Sequence, residues 1–239
     1  MKLRDFKVLS FDCYGTLVDW EAGIWAALEP LVQKCREKPS RETALAAYGE
    51  AEAAQEHETP HLIYRDILVL VHGRLAATWG APLNKAADRA FGDSIGDWPA
   101  FPDTVEALHY LKQRFKLVIL SNVDRQSFAA TNKRLGVAFD VICTAQDIGS
   151  YKPDLRNFDY LLARVREIGF EKPDILHTAQ SLYHDHAPAE ALGIARCWIN
   201  RRGDKGRGSG ATKSVAKMPK LDFEFATLAA MADAHRRGA

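Results

Sequence analysis

A carboxylate that closely follows a short apolar stretch is the feature of this sequence best suited to chemistry. Phe6-Lys7-Val8-Leu9 predicts a buried strand, and Asp12 comes soon after it, before a turn built on Gly15. The carboxyl edge of an open α/β sheet is where such proteins hold their ligands. An aspartate there can act as a nucleophile. The alternative is that Asp12 only caps the following turn through its side chain.

The residue two positions after Asp12 bears on which leaving group a nucleophile there could displace. A carboxylic acid at that position could protonate a poor leaving group as a general acid. Tyr14 occupies the position in this chain, and its neutral phenol does not favour that role. The pattern therefore favours a leaving group that needs no proton from the enzyme.

Polar side chains also lie at the ends of other predicted strands. Residues 116–120 predict a buried parallel strand and residues 174–178 predict another strand, and the ends of parallel strands meet at one edge of a sheet. Each polar group has a structural alternative: Ser121 could end a strand, Lys152 could be a solvated lysine, and Asp185 could cap a helix. Their common position favours a functional site over these alternatives. The groups at that edge are Asp12 and Thr16, Ser121 and Asn122, Lys152, and Asp185.

Two regions of the chain, one all-helical and one with alternating strands and helices, must position these groups. Helical spacing of apolar residues from 20 to 98, without a convincing strand, predicts an all-helical insertion. Elsewhere strands alternate with helices, which predicts an α/β fold with a doubly wound parallel sheet. We therefore expect a core domain of residues 1–19 and 99–239 and a helical cap domain of residues 20–98. The predicted strands are 6–9, 116–120, 138–144, 174–178 and 194–199; the predicted helices are 20–32, 44–58, 64–77, 82–95, 103–114, 125–135, 157–168, 188–192 and 226–236.

The composition limits the classes of partner. The 239 residues have a formal net charge of +1, which gives no electrostatic footprint for nucleic acid or an anionic membrane. No apolar run is long enough to cross a bilayer, and the first residues contain no segment typical of a signal peptide. The four cysteines are scattered without a C-x-x-C pair, as is typical of free thiols in a reducing cytoplasm. The Gly-, Lys- and Ser-rich residues 201–220 predict a solvent-exposed loop. We expect a cytoplasmic protein with no nucleic-acid or membrane partner.

Four stretches resemble the sequence motifs of the haloacid dehalogenase (HAD) superfamily, in the same order and with similar spacing. They are Asp12-Cys13-Tyr14-Gly15-Thr16, Leu120-Ser121-Asn122, Lys152-Pro153, and residues 180–185. The resemblance implies a Rossmann-like core with a cap. It also implies that Asp12 is the nucleophile, Lys152 its charge partner, and Asp185 the residue that positions water or that lysine. The substrate-binding residues that it implies are Tyr14, Thr16, Ser121, Asn122 and Gln180.

Two departures from the superfamily's phosphatases indicate a subfamily. Tyr14 and Gln180 stand where those phosphatases have acidic residues, one a general acid and the other part of a Mg²⁺ site. Mg²⁺ relies on carboxylates and waters. The sequence resembles the 2-haloacid dehalogenases, which need no metal, so we expect no metal and no cofactor. Their arginine motif in the cap is not found here, and Phe158 replaces one of their tyrosines.

A narrower resemblance is to the L-azetidine-2-carboxylate hydrolases of the dehalogenase branch. It rests on residues 98–102, 149–153 and 181–186. The predicted function is that of a hydrolase whose aspartate displaces a leaving group next to the carboxylate of a small acid, either a halide or a strained ring nitrogen. The alternatives are a Mg²⁺-dependent phosphatase and a non-catalytic binding protein on the same scaffold. For assembly, a homodimer stands as an alternative to a monomer.

Overall fold

Six parallel strands form one sheet in the computed structural model, which describes residues 1–203, 215 and 217–238. The spatial order is β3-β2-β1-β4-β5-β6. The chain moves outward from β1 to β3 and then returns to the other side of β1 with β4, so the β1/β4 boundary is the switch point where α/β proteins bind ligands. The strands are β1 (Val8–Phe11), β2 (Lys116–Ser121), β3 (Val141–Thr144), β4 (Ile175–Ala179), β5 (Ala195–Ile199) and β6 (Phe223–Phe225).

The predicted α/β class and doubly wound parallel sheet are confirmed. Strand register aligns the ends of the central strands: Phe11 of β1 pairs with Ile119 of β2 and with Thr178 of β4. Residues of β1 and β4 are all buried, as expected when helices cover both faces of a parallel sheet. The helices are α1 (Trp20–Val32), α2 (Arg41–Glu58), α3 (Tyr64–Thr78), α4 (Lys85–Asp93), α5 (Thr104–Lys112), α6 (Arg125–Leu135), α7 (Ala145–Ile148), α8 (Arg156–Glu167), α9 (Ala187–Ala191) and α10 (Leu228–Arg236).

Several predicted elements differ from the observed ones. Strand β1 begins at Val8, two residues later than predicted, because residues 3–5 form a 3-10 turn. Between β4 and α9 the chain forms a π-helical turn, Leu182–His186, for which no element was predicted. Strand β6 and helix α7 were not predicted, since three or four residues are too short to show a period. Of the predicted loop 201–220, residues 204–214 and 216 lie outside the described part of the chain.

Helices α1 to α4 come from the sequence between β1 and β2, and no strand is found within residues 20–97. Side-chain caps begin three of them: Asp19 accepts from the Ala22 amide, Ser40 from the Thr43 amide, and Asn84 from the Ala86 and Ala87 amides. Among the described residues, no helix is long and apolar enough to cross a membrane.

Close contacts fix this helical region against the sheet. A Cβ atom at Gly23 would lie 2.3 Å from Cγ of Trp98, so only glycine allows α1 to approach that ring. The hydroxyl of Tyr151 donates to the Leu62 carbonyl over 2.7 Å. The amide of Arg65, in the first turn of α3, donates to Asp124 Oδ2 over 3.3 Å. These contacts bring α2 and α3 next to the carboxyl edge of the sheet.

Candidate active site

Asp12 lies directly after β1 with only 7% of its surface exposed. Lys152 Nζ donates to its Oδ1 over 2.9 Å, and Thr16 Oγ1 donates to its Oδ2 over 2.7 Å. Burial raises the pKa of the Asp12 carboxyl, and the charge of Asp185 adds to the rise, while Lys152 and Thr16 oppose it. The two hydrogen bonds hold the carboxylate in one orientation, which is what a positioned nucleophile requires.

Lys152 is the centre of the charged network. Its side chain is 2% exposed, and Nζ also donates to Asp185 Oδ1 over 2.7 Å and to the Leu120 carbonyl over 3.0 Å. Burial alone would lower the pKa of Lys152, but the charges of Asp12 and Asp185 outweigh that effect and raise the pKa above its ordinary value. The lysine is therefore a permanent cation between two carboxylates.

Asn122 fixes the backbone of that lysine. Its Oδ1 accepts from the Lys152 amide over 2.7 Å, and its Nδ2 donates to the Lys152 carbonyl over 3.1 Å. The side-chain amide of Asn122 also lines the cavity described below, but its two hydrogen bonds mainly hold the backbone of Lys152 in place.

Asp185 lies in the π-helical turn that follows β4. Its Oδ1 is also 3.0 Å from Nε2 of His177, whose Nδ1 is 2.9 Å from Ser10 Oγ. Burial would raise the pKa of Asp185, but Lys152 and His177 outweigh burial and hold that pKa well below its usual range. The second oxygen, Oδ2, is buried and has no hydrogen-bond partner in the described structure. An ionised oxygen in that position can accept a bond from a water molecule.

His177 was missed by the sequence analysis. It is fully buried within β4, where its neighbours are Ile175, Leu176, Thr178 and Ala179. A histidine inside an apolar strand was the available signal, because a buried imidazole needs hydrogen-bond partners. The hydrogen-bond partners of His177 depend on the pairing of β4 with β1 and on the turn that carries Asp185.

Thr16 is in direct contact with the nucleophile. Its hydroxyl donates to Asp12 and accepts from the Gln180 amide over 2.9 Å, and the residue is completely buried. It does not belong to the cavity wall. Its hydroxyl is therefore engaged by Asp12 and by the backbone after β4, and its contact with substrate stays a prediction.

Tyr14, Ser121 and Gln180 do face the cavity. The Tyr14 hydroxyl is 2.8 Å from Thr131 Oγ1, and its ring packs edge-on against Trp98 with centroids 5.6 Å apart. Ser121 is 2% exposed and its Oγ has no hydrogen-bond partner among the described residues. A buried hydroxyl without a partner is a candidate donor to a substrate.

A cavity of about 60 Å³ lies above Asp12. Its wall combines the sheet edge with residues of the helical region. The lining residues are Asp12, Tyr14, Trp20, Glu52, Glu56, Tyr64, Ser121, Asn122, Lys152, Gln180, Ser181, His184 and Asp185.

Glu52 and Glu56 of α2 were not predicted to belong to the site. Tyr48 donates to Glu52 Oε1 over 2.7 Å, and Tyr64 donates to the same oxygen. Burial raises the pKa of both carboxyls, and the charge of Glu52 raises that of Glu56 further, well above its ordinary value. The available signal was the i, i+4 spacing, which places both on one face of a helix.

The two histidines that flank Asp185 have different surroundings. His184 lines the cavity, whereas His186 is fully buried and its Nε2 donates to the Ala179 carbonyl over 2.9 Å. Among the described residues, no group of three or more His, Cys, Asp or Glu side chains is placed to hold a metal ion.

Known proteins resemble this chain in sequence and in fold. An (S)-2-haloacid dehalogenase of Pseudomonas putida is 27% identical over 209 residues, which are 84% of this chain and 87% of the relative. The L-2-haloacid dehalogenase structure from Xanthobacter autotrophicus superposes with a TM-score of 0.78 at 17% identity, covering 98% of this chain and all of that one. A structure of the dehalogenase from the same organism with chloropropionic acid covalently bound also has a TM-score of 0.78, at 16% identity and 98% coverage of this chain.

The family model "haloacid dehalogenase-like hydrolase" matches residues 6–177. This range contains β1, the helical region and β2, and with them Asp12, Ser121 and Lys152. Since the match extends over most of the sequence, this chain belongs to the haloacid dehalogenase-like hydrolases.

Proposed function

We propose that this hydrolase uses Asp12 to displace a leaving group from the carbon next to the carboxylate of a small acid. The observation that carries the proposal is the Asp12 carboxylate, which lies in a cavity with one oxygen on Lys152 and the other on Thr16. Relatives named (S)-2-haloacid dehalogenase support it, as does the related structure with chloropropionic acid covalently bound.

The reaction has two steps. A carboxylate oxygen of Asp12 attacks the carbon, the leaving group departs with the electron pair of its bond, and an ester forms. Water then attacks the carbonyl carbon of that ester, the acyl–oxygen bond breaks, and a 2-hydroxy acid is released. Splitting one difficult substitution into two easier steps is the advantage of nucleophilic catalysis.

Residues around Asp12 have distinct proposed roles. Asp185 Oδ2, which is buried and has no hydrogen-bond partner among the described residues, accepts a hydrogen bond from the attacking water. Lys152 stabilises the negative charges of Asp12 and of the substrate carboxylate. Ser121 Oγ donates a hydrogen bond to the substrate carboxylate. Tyr14 and Gln180 form the wall, Asn122 holds Lys152 in place, and Thr16 orients the nucleophile from behind.

The proposed division of the chain is a core of residues 1–19 and 99–239 and a cap of residues 20–98. Support comes from the helices α1 to α4, which fill the interval between β1 and β2 and contribute residues to the cavity wall. We also propose that the protein works in the cytoplasm, where the four buried cysteines, all free, stay reduced.

A single turnover in oxygen-18 water tests the ester. With enzyme in excess over (S)-2-chloropropionate or L-azetidine-2-carboxylate, the first product should contain ordinary oxygen, because its new oxygen comes from Asp12. Mass spectrometry of the peptide that contains Asp12 should then find the heavy isotope in that side chain. Label in the product with none in Asp12 would mean that water attacks the substrate directly, and the nucleophilic role would be lost.

A further inference from the structure

His177 links the centre of the sheet to Asp185. The ring is fully buried in β4, and its Nδ1 lies 2.9 Å from Ser10 Oγ while its Nε2 lies 3.0 Å from Asp185 Oδ1. Ser10 belongs to β1 and pairs with His177 in the register of the two strands. The imidazole is therefore held from within the rigid sheet and bonds a carboxylate on the turn that follows it.

The charge of Asp185 sets the direction of its bond with His177. Burial would raise the pKa of Asp185, but Lys152 and His177 hold that pKa well below its usual range. The ionised carboxylate can only accept, so His177 Nε2 carries a proton and donates it. The Ser10 hydroxyl can both accept and donate, and its contact with Nδ1 is therefore kept in either protonation state of the ring.

The two oxygens of Asp185 have different surroundings. Oδ1 accepts from Lys152 Nζ over 2.7 Å and from His177 Nε2. Oδ2 is buried without a hydrogen-bond partner among the described residues, and Asp185 lines the cavity above Asp12. Two donors on one oxygen fix the orientation of the carboxylate and leave the other oxygen available to a water molecule.

The two donors to Oδ1 respond differently to the formation of an ester. In the free enzyme, Lys152 lies between the charges of Asp12 and Asp185. Asp12 loses its charge when it becomes an ester, and the attraction that holds the ammonium between two carboxylates then weakens. The bond from His177 does not depend on that charge, because the partners of the ring are Ser10 and Asp185.

Packing alone does not explain a histidine at this position. The ring of Phe158 packs edge-on against the imidazole with centroids 5.2 Å apart, and both side chains are fully buried. An apolar side chain would fill the same space without two nitrogens that need hydrogen-bond partners, and burying such groups costs free energy. The polar contact with Asp185 is what distinguishes the histidine from an apolar residue.

We propose that His177 is a positioning residue for the second step of the reaction, in which water attacks the Asp12 ester. This proposal rests on the function proposed above. The water oxygen bonds to the acyl carbon and the acyl–oxygen bond breaks. One proton of the water goes to the hydroxyl of the released acid, and the other is released when the Asp12 carboxylate is regenerated. His177 keeps Asp185 Oδ2 directed at that water after Asp12 has lost its charge.

The ratio of ester to unmodified enzyme tests this role. At a saturating concentration of (S)-2-chloropropionate or L-azetidine-2-carboxylate, the ratio reports the rate constant of the first step divided by that of the second. His177→Phe keeps a buried ring and removes the donor. Mass spectrometry after an acid quench should find the ratio raised by about ten- to hundredfold, the effect of one hydrogen bond to a charged group. The rate of leaving-group release in the first turnover should stay that of the wild type.

A rescue variant and a matched control separate positioning from a general effect on the fold. His177→Gln restores a donor near the place of Nε2 and should return the ratio toward the wild-type value. His72→Phe removes another buried imidazole, whose Nδ1 is 2.6 Å from Asp88 Oδ1 and which is not among the described lining residues of the cavity. This control should leave the ratio unchanged. If His177→Phe slows both steps equally, or leaves the ratio unchanged, the proposal is wrong.

Ser10→Ala makes a smaller change and decides the question if His177→Phe does not fold. It removes the contact of the ring with β1 and keeps the Nε2 proton, so the ratio should rise in the same direction by a smaller factor. An unchanged ratio in Ser10→Ala would then overturn the proposal.

The hydrogen bond itself can be measured without turnover. In protein with nitrogen-15 histidine, nuclear magnetic resonance at neutral pH should find a slowly exchanging proton on Nε2 of His177, assigned by its loss in His177→Gln. A ring with its proton on Nδ1 alone could not donate to Asp185, and that result would also overturn the proposal.

The oxygen-18 experiment distinguishes failure of this proposal from failure of the proposed function. Heavy oxygen in Asp12 of the wild type, together with an unchanged ratio in His177→Phe, would remove the positioning role and keep the nucleophile. Heavy oxygen in the product alone, with no ester in any variant, would remove the nucleophilic function itself.

Discussion

Lys152 Nζ lies 2.9 Å from Oδ1 of Asp12, although 140 residues separate them in the sequence. The same ammonium is 2.7 Å from Asp185 Oδ1, and all three side chains are buried. A buried charge is costly unless it is paired, so each member of this group depends on the other two. The arrangement keeps the nucleophile oriented and limits the cost of its charge.

Replacement of Lys152 by methionine should abolish most of the activity. The variant keeps the length of the side chain but removes the cation beside Asp12, so kcat should fall by about 10²–10³-fold, as when a single electrostatic donor is removed from an active site. Circular dichroism checks that the fold persists, and Lys133→Met on the exposed face of α6 is the control. A Lys152→Met enzyme with nearly normal kcat would show that the ammonium is dispensable.

Thr16→Val tests whether the Thr16 hydroxyl orients Asp12 or binds the substrate. The variant loses the bond to Asp12 Oδ2, and we expect kcat to fall by about tenfold, the effect of one hydrogen bond to a charged group, with little change in KM. Thr16→Ser keeps the hydroxyl and should restore kcat. A rise in KM at constant kcat would instead support the substrate contact that the sequence predicted.

Activity should survive exhaustive treatment with EDTA. Tyr14 and Gln180 both line the cavity where carboxylates would strengthen a Mg²⁺ site, and hard cations rely on such ligands. Assays of L-azetidine-2-carboxylate, (S)-2-chloropropionate and p-nitrophenyl phosphate, each with EDTA and with added Mg²⁺, measure this. Loss of turnover with EDTA and its recovery with Mg²⁺ would favour the phosphatase alternative.

His186 should make the folded state less stable in acid. Burial lowers its pKa from 6.5 to about 4, since the imidazole is fully enclosed and its Nδ1 has no partner in the described structure. Between these values the unfolded chain binds a proton that the folded chain does not. The free energy of unfolding is therefore intact above about pH 6.5 and decreases as the pH falls toward 4, by about 3 kcal/mol in total from this residue.

Urea denaturation at several pH values measures the contribution of His186. His186→Gln cannot gain a proton, so its free energy of unfolding should depend less on pH than that of the wild type in this window. His109→Gln, on the exposed side of α5, should keep the wild-type slope. Identical slopes for wild type and His186→Gln would mean that the buried imidazole is already protonated in the folded state.

Elements with local signals could be predicted from the amino-acid sequence alone. Apolar runs of parallel-strand type predicted the central strands. Helices α1 and α6 have the predicted limits, because apolar spacing and terminal residues specify a helix within a few turns. The position of Asp12 after β1 followed from the same kind of signal.

Only the tertiary structure decided which polar groups meet. Thr16 lies in the first motif, yet the turn at Gly15 sends its hydroxyl behind Asp12 and away from the cavity. Glu52 and Glu56 read as ordinary charges on a helix until the packing of α2 brings that face to the cavity wall. His177 contacts Asp185 because the turn after β4 places that carboxylate beside the imidazole ring. The physical reason is that a side chain's solvent exposure and partners depend on contacts between segments far apart in the chain, whereas periodicity and capping act between neighbours.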